Sequence, residues 1–130
     1  MMRLRISAGL AALALAATPA LAGPSAEVNA QDFYTRALEL KAKGMGAVFA
    51  KGFRSSMAQM QDAGKKASSA NNAATKAGKP LYCVSDAERK KGLDADKVIA
   101  ILGRLGLQTR QKLTLDKAWM AALQREYPCK

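Results

Sequence analysis

The sequence has no histidine among its 130 residues. That removes the commonest metal ligand and the usual general base near neutral pH. Cysteine occurs twice, as Cys83 and Cys129, and never in a CxxC pair. Two such thiols without histidine make neither a zinc site nor a Cys/His nucleophile. Aromatic residues are scarce, with three Phe, three Tyr and one Trp, so an interior must be built from aliphatic and small side chains. No stretch alternates with period two for long, and a sheet is therefore not supported. Gly44 and Gly46 lack the third glycine and the preceding strand of a phosphate cradle. These absences give no catalytic residue, no metal site and no cofactor to expect, and an enzyme is not the expected reading.

Negative charge is also in short supply. Lys and Arg number 21 against 10 Asp and Glu, a net charge of +11. The basic residues are scattered through every segment rather than massed on one helix, so nucleic acid is not an expected partner. Anionic partners of a cell envelope fit better: lipopolysaccharide, anionic lipid or an acidic protein surface. Asp86 and Glu88, beside Arg89, Lys90 and Lys91, read as a solvated loop.

What is present begins with residues 1–22. Arg3 and Arg5 form a basic head, residues 6–17 are apolar and uncharged, and Pro19, Ala20, Leu21 and Ala22 supply a small-x-small cleavage site. This is the pattern of a bacterial signal peptide cleaved near Ala22. The apolar run falls short of the ~20 residues that a membrane span needs. With no cysteine near the cleavage site, a lipoprotein is not expected. Residues 23–130 are then a periplasmic protein without a transmembrane segment, one domain by length. An oxidising compartment favours a bridge between Cys83 and Cys129, an even pair placed at helix ends.

Within residues 23–130 the spacing predicts four main helices. Asn29 with Asp32 marks the start of a first helix over about 30–43. A second, over about 46–63, carries Met45, Phe49, Phe53, Met57 and Met60 in one apolar stripe. Met57 and Met60 are read as core fillers rather than as an adaptable binding groove. Residues 64–78 contain no large apolar side chain and read as a low-complexity linker or frayed helix outside the core. A third helix starts near Asp94 and uses Val98, Ile101, Leu102 and Leu105; residues 106–112 read as a turn. The fourth opens at Thr114 as N-cap and buries Leu115, Ala118, Trp119, Ala122 and Leu123. The expected fold is all-α, a small domain of four to five helices with one intramolecular disulfide.

The second half of the chain holds Leu81-Tyr82-Cys83, the helix over 98–105, then Ala122-Leu123 and Tyr127-Pro128-Cys129. In these pieces it resembles the Rap/Tai-type immunity proteins of type VI secretion systems. Val84-Ser85-Asp86 stands where members often carry a proline soon after the first cysteine. The resemblance implies a small helical periplasmic fold with no residues that do chemistry. It also implies a partner: a secreted effector, a peptidoglycan amidase or related hydrolase, whose active site the protein blocks. A periplasmic stress or chaperone-like helical binding protein is the alternative, and a homodimer is compatible with either. An inhibitor must place a protruding element in a cleft, and of the two candidate loops, 85–92 and 106–112, the second is the chosen one. Its polar Gln108, Thr109, Arg110 and Lys112 suit a cleft's donors and carboxylates.

Overall fold

The structure, a computed structural model, describes residues 23–130. The expected signal peptide at 1–22 lies outside the described residues. The domain is all-α, with six α-helices among the described residues: α1 Ala30–Ala42, α2 Phe53–Lys76, α3 Asp86–Lys91, α4 Ala95–Arg104, α5 Leu107–Lys112 and α6 Leu115–Glu126. Short 3-10 turns at Pro24–Ala26 and Gly44–Phe49 precede α1 and α2.

Helix starts follow side-chain capping where the sequence supplies it. The Asn29 Oδ1 accepts from the backbone N–H groups of Gln31 and Asp32 at 2.9 and 3.3 Å. Asp94 caps α4 by accepting from Lys97 N at 2.8 Å, and Ser85 caps α3 by accepting from Glu88 N at 3.2 Å. Thr114 occupies the N-cap position of α6 as expected, but its hydroxyl turns to Asp116 Oδ1 at 2.5 Å instead of capping. Residues 86–91, expected as loop, form the short α3 because Ser85 gives them that cap.

The second helix departs from the sequence reading at both ends. It begins at Phe53 rather than near Gly46, because Gly44 and Gly52 take left-handed backbone with φ of +56° and +90°. The stripe is thereby cut: Phe53 onward is helical, whereas Met45 and Phe49 sit on the 3-10 turn, 93% and 91% exposed. At its far end α2 continues through Lys76, so the linker expected at 64–78 is in fact ordered helix nearly to Gly78. Nor does it stay out of the core. Ala63, Ala67 and Asn71, each four residues apart, are buried. Small side chains on that stripe let α6 approach closely, and packing α2 on α6 is the most extensive helix contact of the domain.

α6 is the hub. Its Leu115, Ala118, Trp119 and Ala122 are at most 1% exposed, and it packs on α1, α2, α4, α5 and the Pro24–Ala26 turn. Ile101, Leu102, Phe33 and Ala30 complete the core, with Leu105 packed against it. An isolated antiparallel bridge pins the start of α1 to the start of α6: Ala30 N donates to Leu113 O and Leu115 N to Val28 O, both at 2.9 Å.

Between α2 and α3 the chain is extended and doubly anchored. Asn71 accepts from Leu81 N and Tyr82 N at 2.8 and 3.2 Å, and donates to Tyr82 O at 3.1 Å. Cys83 N donates to Tyr127 O at 2.8 Å. Cys83 and Cys129 are bridged, with their Cα atoms 5.0 Å apart.

Candidate functional site

The segment chosen from the sequence does not behave as a protruding loop. Residues 107–112 form α5, a turn and a half of helix set off by Gly106 at φ +88°. Gln108 and Lys112 are exposed and Thr109 is partly buried, but Arg110 is only 6% exposed. Its guanidinium donates from Nη1 to the Leu102 and Gly103 carbonyls at 2.9 and 3.0 Å, and from Nε to Gln31 Oε1 at 2.7 Å. It also lies over the Tyr34 ring, 4.1 Å from its centroid. Arg110 therefore satisfies the last carbonyls of α4 and ties α5 to α1. It is removed from any set of groups free to meet a partner.

This placement changes what charge reversal does there. Arg110→Glu is expected to cost about 3 kcal/mol or more, because it sets a carboxylate against backbone carbonyls and strands them in the interior. Lys112→Glu alone is expected to stay within about 0.5 kcal/mol, as ordinary surface substitutions do. Urea denaturation of the two single variants checks both values. Equal and small effects would contradict the structural role of Arg110.

The exposed apolar surface gathers elsewhere. A cleft of about 480 Å³ opens between the second half of α1, the first half of α2 and the start of α4. Phe33 and Trp119 lie at its floor, Met57 and Met60 on one wall, Val98 and Ile99 on the other. Met60 packs on the core, whereas Met57 is 47% exposed, so the core reading holds for the first and fails for the second. Gly44 and Ala47 line the mouth, and the same 3-10 turn carries Met45, Val48 and Phe49 outward into solvent. Lys43, Lys51 and Arg54 adjoin it and are exposed. Lys41 of α1 pairs with Asp96 of α4 across 3.1 Å. No sequence signal placed the cleft, although the methionine stripe marked one of its walls.

A polar cluster sits on the other side of α2. Ser25, fully buried, donates from its backbone N–H to Asp62 Oδ2 at 3.1 Å and from its hydroxyl to the same oxygen. Lys66 Nζ reaches Asp62 at 3.1 Å and Asp116 at 3.5 Å. The Ser25 hydroxyl bond holds the Asp62 carboxyl below its ordinary value, outweighing burial, and Lys66 adds to the effect. Burial pulls the Lys66 ammonium down, but the bond to Asp62 and the charge of Asp116 outweigh it and leave it raised. The cluster pins the Pro24–Ala26 turn onto α2 and α6. Among the described residues no group of three or more His, Cys, Asp or Glu is placed to hold a metal ion.

A depressed carboxyl contributes stability that is present above its unfolded value, about 3.9, and lost as pH falls through the lower folded value. Stability is accordingly expected to fall on acidification below about pH 4, with Asp62→Asn flattening that limb of the profile. Thermal melts from pH 2 to 6 measure it. An unchanged acid limb in the variant would assign the loss to other carboxyls.

Comparison with family models, with curated proteins and with solved structures finds no match to this chain.

Proposed function

We infer that this protein is an immunity-type inhibitor, exported to the periplasm, that binds a secreted peptidoglycan-degrading effector. The observation that carries the reading is the apolar projection on the 3-10 turn. Met45 and Phe49 are more than nine-tenths exposed, with half-exposed Val48 between them, and the exposed Lys43, Lys51 and Arg54 flank them in sequence. A contiguous apolar patch rimmed by charge marks a surface for a protein partner, and aromatic anchors within basic surroundings suit an acidic-rimmed cleft.

Two further features support it. The segments that carry the family resemblance, Leu81-Tyr82-Cys83 and Tyr127-Pro128-Cys129, lie side by side and are joined by a disulfide. A bridge of that kind suits an oxidising compartment. No helix among the described residues is long and apolar enough to cross a membrane.

The test is co-expression, in the periplasm, of the protein with a peptidoglycan hydrolase encoded beside its gene. Wild type is expected to prevent lysis and inhibit the purified hydrolase. Met45→Asp with Phe49→Asp is expected to lose inhibition by at least about thirtyfold, the effect of losing one binding hot spot of ~2 kcal/mol. The variant should melt as wild type does, since both side chains are already in solvent. Full inhibition by a folded variant would remove this surface from the site. The alternative, a chaperone-like binding protein, draws on the same exposed apolar turn. Suppression of aggregation of unrelated unfolded proteins, without inhibition of the hydrolase, would decide for it.

A further inference from the structure

The cleft between α1, α2 and α4 has features that the inhibitor reading does not use. Its volume of about 480 Å³ lies within the ~300–1,000 Å³ common for small-molecule sites, and carbon atoms make up nearly all of its lining. Its polar lining residues are Lys41, Ser56, Gln61 and Asp94, and of these only Ser56 is buried. Ser56 is 6% exposed, and its hydroxyl has no hydrogen-bond partner among the described residues. An unpaired hydroxyl in such a place costs stability, unless something that enters the cleft accepts a hydrogen bond from it. The mouth is cationic on one side. Lys41 lines it but is already paired with Asp96, whereas the exposed Lys43 follows it in sequence, Lys51 precedes α2 and Arg54 lies in its first turn. On the α4 side, Asp94 is engaged as a helix cap and Asp96 is paired with Lys41.

We propose that this cleft binds one single-chain anionic amphiphile. The acyl chain lies along Met60 and Trp119, an acceptor oxygen receives a hydrogen bond from the Ser56 hydroxyl, and the anionic head stays at the mouth near Lys43, Lys51 and Arg54. A monoacyl glycerophospholipid contains all three parts: one chain, an ester carbonyl and a phosphate. The complementarity is of shape and charge together. A chain without a head would leave Lys43, Lys51 and Arg54 unused, and a head without a chain would leave the apolar floor uncovered.

The protein carries its own reporter. Trp119 is the only tryptophan of the chain, it is 1% exposed, and it lines the cleft. It also carries a site for a blocking variant. Gly64, in the middle of α2, lines the cleft, and a Cβ added there meets nothing within 4 Å. Gly64→Leu therefore fills the space while favouring the helix.

The experiment titrates the oxidised protein with lauroyl lysophosphatidylglycerol below its micelle concentration, following Trp119 emission and heat of binding. A saturable change at one molecule per protein is expected. Gly64→Leu should weaken it at least about tenfold while melting no lower than wild type; Ser56→Ala should weaken it about fivefold, the range of one hydrogen bond. Lysophosphatidylcholine, with no net charge, should bind more weakly than the anionic lipid. Bilayer vesicles of phosphatidylglycerol separate a free chain from a lipid surface. Three results would overturn the proposal: no response to the monomeric lipid, a response to vesicles alone, or undiminished binding by folded Gly64→Leu.

Discussion

Reduction of the Cys83–Cys129 bridge is expected to lower the free energy of unfolding by about 4 kcal/mol, the chain-entropy value for a loop of this length. The bridge spans 46 residues, enough to enclose α3, α4, α5 and all of α6. Most of the loss should arise in the unfolded chain, which gains freedom when the loop opens. The folded side changes less, because the segment before Cys83 has a second anchor. Asn71 holds Leu81 and Tyr82 by three hydrogen bonds, and Tyr82 is buried. Urea denaturation with and without reductant, and of Cys83→Ser with Cys129→Ser, measures the difference. The two routes should agree. A loss under about 1 kcal/mol would mean that the native bridge is strained enough to cancel its entropic effect.

Trp119→Ala is expected to cost about 3–5 kcal/mol, the range for deleting a large buried aromatic. The side chain is the bulkiest of the fully buried ones. It shares its core cluster with Ile101 and Leu102, with Leu105 packed against it. It also closes the floor of the cleft, so truncation would join that cleft to the new cavity. The surroundings could then collapse only from one side, which places the cost toward the upper end. Trp119→Phe should recover much of the loss by refilling part of the volume. Chemical denaturation of both variants checks the order. Near-equal stabilities for the alanine and phenylalanine variants would show that packing at this position is loose.

Much of the fold was legible because its signals are local. Asn29 with Asp32 announced α1, and Asp94 ahead of Val98, Ile101 and Leu102 announced α4. The apolar side chains of α6 named its buried face, including Trp119, and the two cysteines named the bridge. What escaped the sequence has definite physical causes. The far half of α2 buries Ala63, Ala67 and Asn71, and such a face has too little hydrophobic contrast to stand out. It contributes by close approach rather than by bulk. Arg110 looked like a surface cation because its partners, Gln31, Tyr34 and the Leu102 and Gly103 carbonyls, are brought to it by packing of separate helices. The cleft stays hidden because the methionine stripe reads as one helix, whereas the left-handed backbone at Gly52 divides it.

The bridge between the starts of α1 and α6 bears on the order in which the chain assembles. The Asn29 side chain donates to Gln111 O across 82 residues of sequence, and the Arg110 bond to Gln31 spans 79. Leu113 and Leu115 supply the backbone partners of Ala30 and Val28. That pairing cannot form until α6 exists, and the long loop between its partners must close at an entropic cost before the pairing contributes.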